Sequence, residues 1–138
     1  MSTAKNGDFV TGIAHVGIRV HDLDRARAFY EILGFDFVAG PLGPEPVAIL
    51  EHPCGVEINL VLNASRDAGA NILMDVDEKH AGYTHMSLAV RDLAAAQAAV
   101  EAAGIAVTEG PITFPTGDRA FFVRDPDRNV VELNQAAD

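Results

Sequence analysis

Apolar and polar residues alternate from position 13 to 20. Ala14, Val16, Ile18 and Val20 share one face of an extended segment, while His15, Gly17 and Arg19 share the other. The pattern predicts a strand with one side on a core and the other open to chemistry. The period then lengthens: Asp22 reads as a helix N-cap, Leu23, Ala26, Tyr30 and Leu33 recur at helical spacing, and Gly34 suits the left-handed position that ends a helix. Strand patterns return at 35–38, 47–50 and 56–62, with the turn HPCG between the last two.

The same series runs a second time. At an offset of 70, Gly12 falls on Gly82, His15 on His85, Val20 on Val90, Asp22 on Asp92, Leu23 on Leu93 and Gly34 on Gly104. With offsets of 73 and 75, Pro53 falls on Pro126 and GVEINL on VVELNQ, which sets Glu57 on Glu132 and Asn59 on Asn134. The second helix is capped by Asp92 and stopped by Gly104, and strands follow at 105–108, 120–124 and 130–134, with the turn DPDRN before the last. Each copy reads βαβββ, and two copies make an α+β arrangement of eight strands and two helices. We expect one domain over 1–138, with modules at 9–64 and 82–136 and a linker at 65–81. Within the connection, Ile72, Leu73 and Met74 interrupt an acidic stretch and are expected to dock on the protein; GPITFPTGDR at 110–119 is expected to form a loop that acts as a lid.

Composition narrows the function. The chain has 138 residues, of which 49% are hydrophobic and 22% charged, enough to bury a core. A net charge of −10 with scattered basic residues argues against nucleic acid or an anionic membrane surface as partner. Cys54 is the sole cysteine, so no internal disulfide and no thiolate cluster forms, and the polar start of the chain carries no secretory signal. Together these point to the cytosol.

Four residues then stand out. His15 and His85 hold equivalent places on first strands; Glu57 and Glu132 hold equivalent places on last strands, Glu57 between Val56 and Ile58 in a segment that reads as buried. A carboxylate there calls for a partner or a metal, and two His and two Glu related by an internal repeat can converge on one cation. The remaining histidines, His21, His52 and His80, have no counterpart in the other copy and read as surface residues. No phosphate-binding glycine loop, G-x-S-x-G elbow or C-x-x-C pair occurs.

The segments AHVGIRVHDLDRARAFYEILGF, GVEINL, YTHMSLAVRDL and FFVRDPDRNVVEL resemble the vicinal oxygen chelate superfamily of glyoxalase I, extradiol dioxygenases, fosfomycin-resistance enzymes and bleomycin-binding proteins. The resemblance spans about residues 12–135 and implies two βαβββ modules curled into an eight-stranded open cup. It implies metal ligands at His15, Glu57, His85 and Glu132, a set similar to that of bacterial glyoxalase I, holding one divalent ion (Ni, Co, Zn, Mn or Fe) per site. On that likeness Arg19 meets an anionic group of a small-molecule substrate, Phe114 and Phe122 contact it, and Glu57 or Glu132 moves a proton in a lyase or isomerase reaction on an α-hydroxy carbonyl or hemithioacetal. Small two-module members pair, so a homodimer is expected, with the site closed within one chain or across two. An extradiol dioxygenase and a drug-binding resistance protein are the alternatives; against the former, its tyrosine is Phe121 or Phe122 here, and its glycine after Asp-Pro is Arg128.

Overall fold

The computed structural model describes residues 7–65 and 69–138; the polar opening of the chain up to residue 6 and residues 66–68 of the linker lie outside them. Ten elements follow in order: β1 (Val16–Arg19), α1 (Leu23–Ile32), β2 (Asp36–Leu42), β3 (Val47–Glu51), β4 (Glu57–Val61), β5 (His85–Ala89), α2 (Leu93–Ala102), β6 (Glu109–Thr113), β7 (Arg119–Arg124) and β8 (Val130–Gln135). Two mixed four-stranded sheets result, ordered β1-β4-β3-β2 and β5-β8-β7-β6. In each, the first strand lies parallel to the last and the remaining pairs are antiparallel. The ladders stop at β1 and β5, so the sheets do not close on one another.

The helices begin where the sequence places them. The Asp22 side chain accepts from the Arg25 N–H at 2.9 Å, and Asp92 accepts from the Ala95 N–H at 3.1 Å, each satisfying an amide with no intrahelical partner. Helix α1 buries Ala26, Phe29 and Tyr30, and α2 buries Leu93 and Val100. One apolar cluster joins both modules, with Val20, Phe35, Leu50, Ile58 and Leu60 from the first and Phe121, Val123, Val131 and Leu133 from the second.

Two expectations are corrected. The segment 105–108 is not a strand: the Ile105 N–H closes the helix end onto the Val100 carbonyl at 2.9 Å, Ile105 and Val107 pack on the core, and pairing starts only when the Thr108 N–H reaches the Phe122 carbonyl. Nor is 110–119 a free lid. Residues 110–113 lie in β6, a tight turn closes from the Phe114 N–H to the Asp118 carbonyl at 2.8 Å, and β7 begins at Arg119. The repeat also runs further than the alignment above. Gly40-Pro41 and Gly110-Pro111 stand at the same offset of 70 and interrupt the register of β2 and β6 in the same way. Both glycines have positive φ, and a Cβ would meet Ala48 Cα at 2.6 Å at one and the Ala120 carbonyl at 2.8 Å at the other, so only glycine fits.

The DPDRN turn fastens the modules together. Asp125, 3% exposed, accepts from the Tyr30 hydroxyl and Asn129 Nδ2 on one oxygen and from the Asp127 and Asn129 N–H groups on the other, all at 2.8–2.9 Å. Asp127 accepts from the His21 N–H, Arg25 donates to the Pro126 carbonyl, and Asn129 donates to the Arg19 carbonyl at 3.0 Å. Arg128 holds a left-handed backbone at φ 68, a strain on the order of 1 kcal/mol for a residue with a side chain. Among the described residues no helix is long and apolar enough to cross a membrane.

Burial raises the Asp125 carboxyl above its ordinary range, and its hydrogen bonds only partly offset this. The native state therefore takes up that proton before the unfolded chain does, so burying the charged carboxylate costs most at neutral pH and the cost is relieved as pH falls through the raised value. We predict that Tyr30→Phe loses about 1–2 kcal/mol in urea unfolding and Asp125→Ala about 3 kcal/mol, because the latter unpairs several buried donors. The stability of wild type relative to Asp125→Asn should be greater at pH 4 than at pH 7; the opposite slope would contradict the raised carboxyl.

Candidate functional site

Each module presents one His–Glu pair on the face of its sheet opposite the core. In the second, His85 opens β5 and Glu132 lies on the adjoining β8; His85 Nε2 stands 2.9 Å from Glu132 Oε1. Its other ring nitrogen meets the Thr84 hydroxyl at 2.8 Å, and Asn134 Nδ2 donates to the second Glu132 oxygen at 2.8 Å. Glu132 is only 6% exposed, and Phe122, its cross-strand neighbour on β7, sets its ring edge-on to His85 at 5.7 Å. In this half the Glu132 carboxylate is buried, His85 is partly exposed, and both side chains are oriented by neighbours.

The first half is wetter and looser. His15 lies just before β1, and its Nδ1 is 3.8 Å from an oxygen of Glu57, which opens β4. Glu51 stands directly opposite Glu57 in the β3–β4 ladder, at the place Phe122 fills in the second half, so two carboxylates share a face there. Two residues beyond Glu57, and on its face, the Asn59 side-chain oxygen is buried with no hydrogen-bond partner among the described residues, whereas its repeat counterpart Asn134 is engaged with Glu132.

Between β1 and β5 lies a cavity of about 800 Å³, lined by His15, Glu57, His85 and Arg19 together with apolar side chains that include Ile13, Leu73 and Tyr83. Glu132 stands behind His85 rather than on the cavity wall. The two pairs remain two pairs: among the described residues no group of three or more His, Cys, Asp or Glu is close enough to hold one ion. Phe114 is half-buried in the β6–β7 turn, and neither it nor Phe122 lines the cavity. Arg19 lines it, but its guanidinium donates to Asn63 at 2.8 Å and lies 3.5 Å from Glu45, so the residue expected to receive an anion is held by its neighbours.

The donors suit a metal. Two imidazoles and two carboxylates match the borderline divalent ions. In the second module His85 Nε2 and Glu132 Oε1 stand 2.9 Å apart and would be the two groups there to hold such an ion. The orphaned Asn59 oxygen adds an unsatisfied acceptor on the Glu57 face. Thr84 and Asn134 are the outer partners that orient such ligands. Sequence reasoning missed these orienting groups, although Asn59 and Asn134 align in the repeat; it also missed Ile13 and Tyr83, whose offset of 70 was available to it.

The profile of the Glyoxalase/Bleomycin resistance protein/Dioxygenase superfamily matches residues 12–133. None of the curated proteins matches significantly. Similar solved structures include a glyoxalase/dioxygenase from Nostoc punctiforme, 17% identical with a TM-score of 0.76, covering 100% of this chain and 99% of that one. The antibiotic binding protein TnmS3 from Streptomyces sp. CB03234 is 24% identical with a TM-score of 0.72, covering 94% and 98% of the two chains. An integron cassette protein from the mobile metagenome of V. cholerae is 25% identical with a TM-score of 0.65, covering 91% and 95%.

If the His–Glu pairs hold an ion, His15→Ala and His85→Ala should each lower the divalent metal measured by elemental analysis after dialysis. Asn134→Ala, which leaves all four donors in place, should weaken affinity by about tenfold by freeing Glu132. Full metal content in the His15→Ala/His85→Ala double variant would remove the metal reading.

Proposed function

The chain belongs to the glyoxalase/bleomycin resistance protein/dioxygenase superfamily, and from that premise we propose that it is a divalent-metal-dependent lyase or isomerase that moves a carbon-bound proton of an α-hydroxy carbonyl or hemithioacetal substrate. The observation that carries this reading is the oriented His85–Glu132 pair, whose His85 lines the same cavity as both members of its repeat counterpart, His15–Glu57. His15, Glu57, His85 and Glu132 would hold the metal, which supplies stabilisation of the negative charge that develops on two adjacent substrate oxygens.

The protein's own groups then divide the work. Asn134 and His85 fix Glu132 in one orientation and burial keeps water from it, so its carboxylate is preorganised. Glu57 reaches the cavity and, among the described residues, its carboxylate has just the 3.8 Å contact with His15, so it can approach a substrate carbon directly. Both carboxylates are bases suited to accept a proton and return it. Arg19 would orient an anionic substituent, which has to displace Glu45. Phe122 dries the space beside His85, and Phe114 would contact substrate only from the β6–β7 turn.

Because the two pairs are separate within the chain, we place the complete site in a homodimer, where His15 and Glu57 of one protomer meet His85 and Glu132 of the partner subunit. Sedimentation should give a dimer at micromolar concentration. A monomer that binds one ion at full affinity would show instead that the two modules close on it within a single chain.

A second reading, metal-free capture of an antibiotic, is favoured by the same separation of the pairs and by the largely apolar cavity lining, and the Streptomyces neighbour is an antibiotic binding protein. It predicts negligible metal and ligand capture without turnover.

For the preferred reading, the active protein should incorporate solvent deuterium at the reacting carbon with no oxygen uptake. Glu57→Gln and Glu132→Gln should each lower kcat by at least about a hundredfold while reducing bound metal far less, since an amide offers an oxygen but cannot take a proton. The larger kcat loss identifies the principal base. Oxygen-dependent cleavage of a catechol, unaffected by Glu57→Gln, would replace proton transfer with the dioxygenase reaction.

A further inference from the structure

The connection between the modules ends its described course as part of the cavity. Asn71 and Leu73 both line it, and Leu73 packs so closely on Gly82 that a Cβ there would meet its side chain at 3.0 Å. What holds this segment is ionic and comes from the second module. Asp75 accepts two hydrogen bonds from Arg124, at 2.9 and 3.0 Å, and one from Arg128 Nε at 3.0 Å, with Arg128 Nη2 in ion-pair contact at 3.0 Å. These guanidinium contacts, with the Asn71 N–H, keep its carboxyl well below the usual range, so the pairing is charged throughout the physiological range.

The rest of the turn is tied to the same point. The Asn71 side chain donates to the Arg128 carbonyl at 3.1 Å and accepts from the Leu73 N–H at 3.0 Å, and the Asn71 carbonyl accepts from the Met74 and Asp75 N–H groups. Arg124 also donates to the Arg128 carbonyl at 3.1 Å. Arg128 occupies a left-handed backbone position that glycine would fill without strain. Glycine there would lose the two contacts to Asp75. The strained arginine is explained if its side chain has work to do on the linker.

We infer that Asp75 is a positioning residue: with Arg124 and Arg128 it latches residues 71–75 as one wall of the cavity, and Leu73 on that wall selects the ligand. The inference rests on the reading of this cavity as the ligand site. It requires neither the metal nor a particular reaction. Leu73 faces a mouth that also carries Ile13, 85% exposed, and Tyr83, 98% exposed, so the wall favours ligands with an uncharged apolar portion.

The test uses the intact wild-type chain, Asp75→Asn, Arg128→Gly and Leu73→Ala. Hydrogen exchange of the Asn71, Leu73, Met74 and Asp75 amides is read on the unliganded proteins, and affinity is read with the neutral fluorophore N-phenyl-1-naphthylamine. We expect Asp75→Asn and Arg128→Gly to speed exchange of those four amides at least tenfold while amides of β7 and β8 keep their protection. Arg128→Gly should keep the thermal midpoint of wild type, because relief of the backbone offsets the lost contacts, which guards against a merely unfolded variant. Each should weaken the fluorophore about fivefold, as should Leu73→Ala, and Asp75→Asn should add nothing further in a Leu73→Ala background because it acts through that side chain. Unchanged exchange in both latch variants, or effects of Asp75→Asn and Leu73→Ala that simply multiply, would overturn the inference. Neither readout involves metal or turnover, so such a failure leaves the proton-transfer reading standing, and failure of that reading leaves this one standing.

Discussion

A buried carboxylate sets the relation between the two halves of this protein. Asp125 comes from the last hairpin of the second module, yet one of its oxygens is held by Tyr30 from the helix of the first. Removing a charge from water is costly, and the cost is tolerable only because four donors converge on it. That demand fixes the hairpin's shape and leaves the Asp127 carboxylate in place to receive the His21 N–H, and the Pro126 and Arg128 carbonyls to receive Arg25 and Asn71. The apolar cluster glues the modules without direction; the Asp125 network supplies their orientation.

Orientation matters because the two His–Glu pairs stand on separate sheets. Duplication has placed a His–Glu pair on each sheet, but the two copies have diverged around it. In one, Phe122 packs beside His85, Glu132 is buried, and the His85–Glu132 contact is short. In the other, Glu51 replaces the aromatic ring and the His15–Glu57 contact is long and half-exposed. A rigid half and an adaptable half suit a site that must hold its ligands and still admit a substrate between them.

The legible part of this architecture was the part written in local periodicity. Alternation at His15 and Arg19, the caps at Asp22 and Asp92, and the offset of 70 revealed the βαβββ repeat and both His–Glu pairs. Strand limits failed where tertiary pairing decides them, as at Ile105, whose amide finishes the helix instead of entering a ladder. The lid expected at Phe114 became a tight hairpin turn because β6 and β7 pair up to it. The expectation that the linker docks was right for Leu73, which packs on Gly82, while Ile72 stays 64% exposed. Its anchor, Asp75 against Arg124 and Arg128, lies about 50 residues away in sequence, and no periodicity encodes such a contact. How the two His–Glu pairs sit relative to each other is likewise a property of module packing, set by Tyr30 and Asp125 rather than by the strands that carry them.

The aromatic inventory has an optical consequence. The chain contains no tryptophan and two tyrosines. Tyr30 is fully buried with its hydroxyl given to a carboxylate, an arrangement that quenches phenol emission, whereas Tyr83 stands 98% exposed on the cavity wall. The native protein therefore carries its own lamp at the mouth of the cavity: its ultraviolet emission should come chiefly from Tyr83, and a ligand seated against that ring would dim or shift the signal without any label attached.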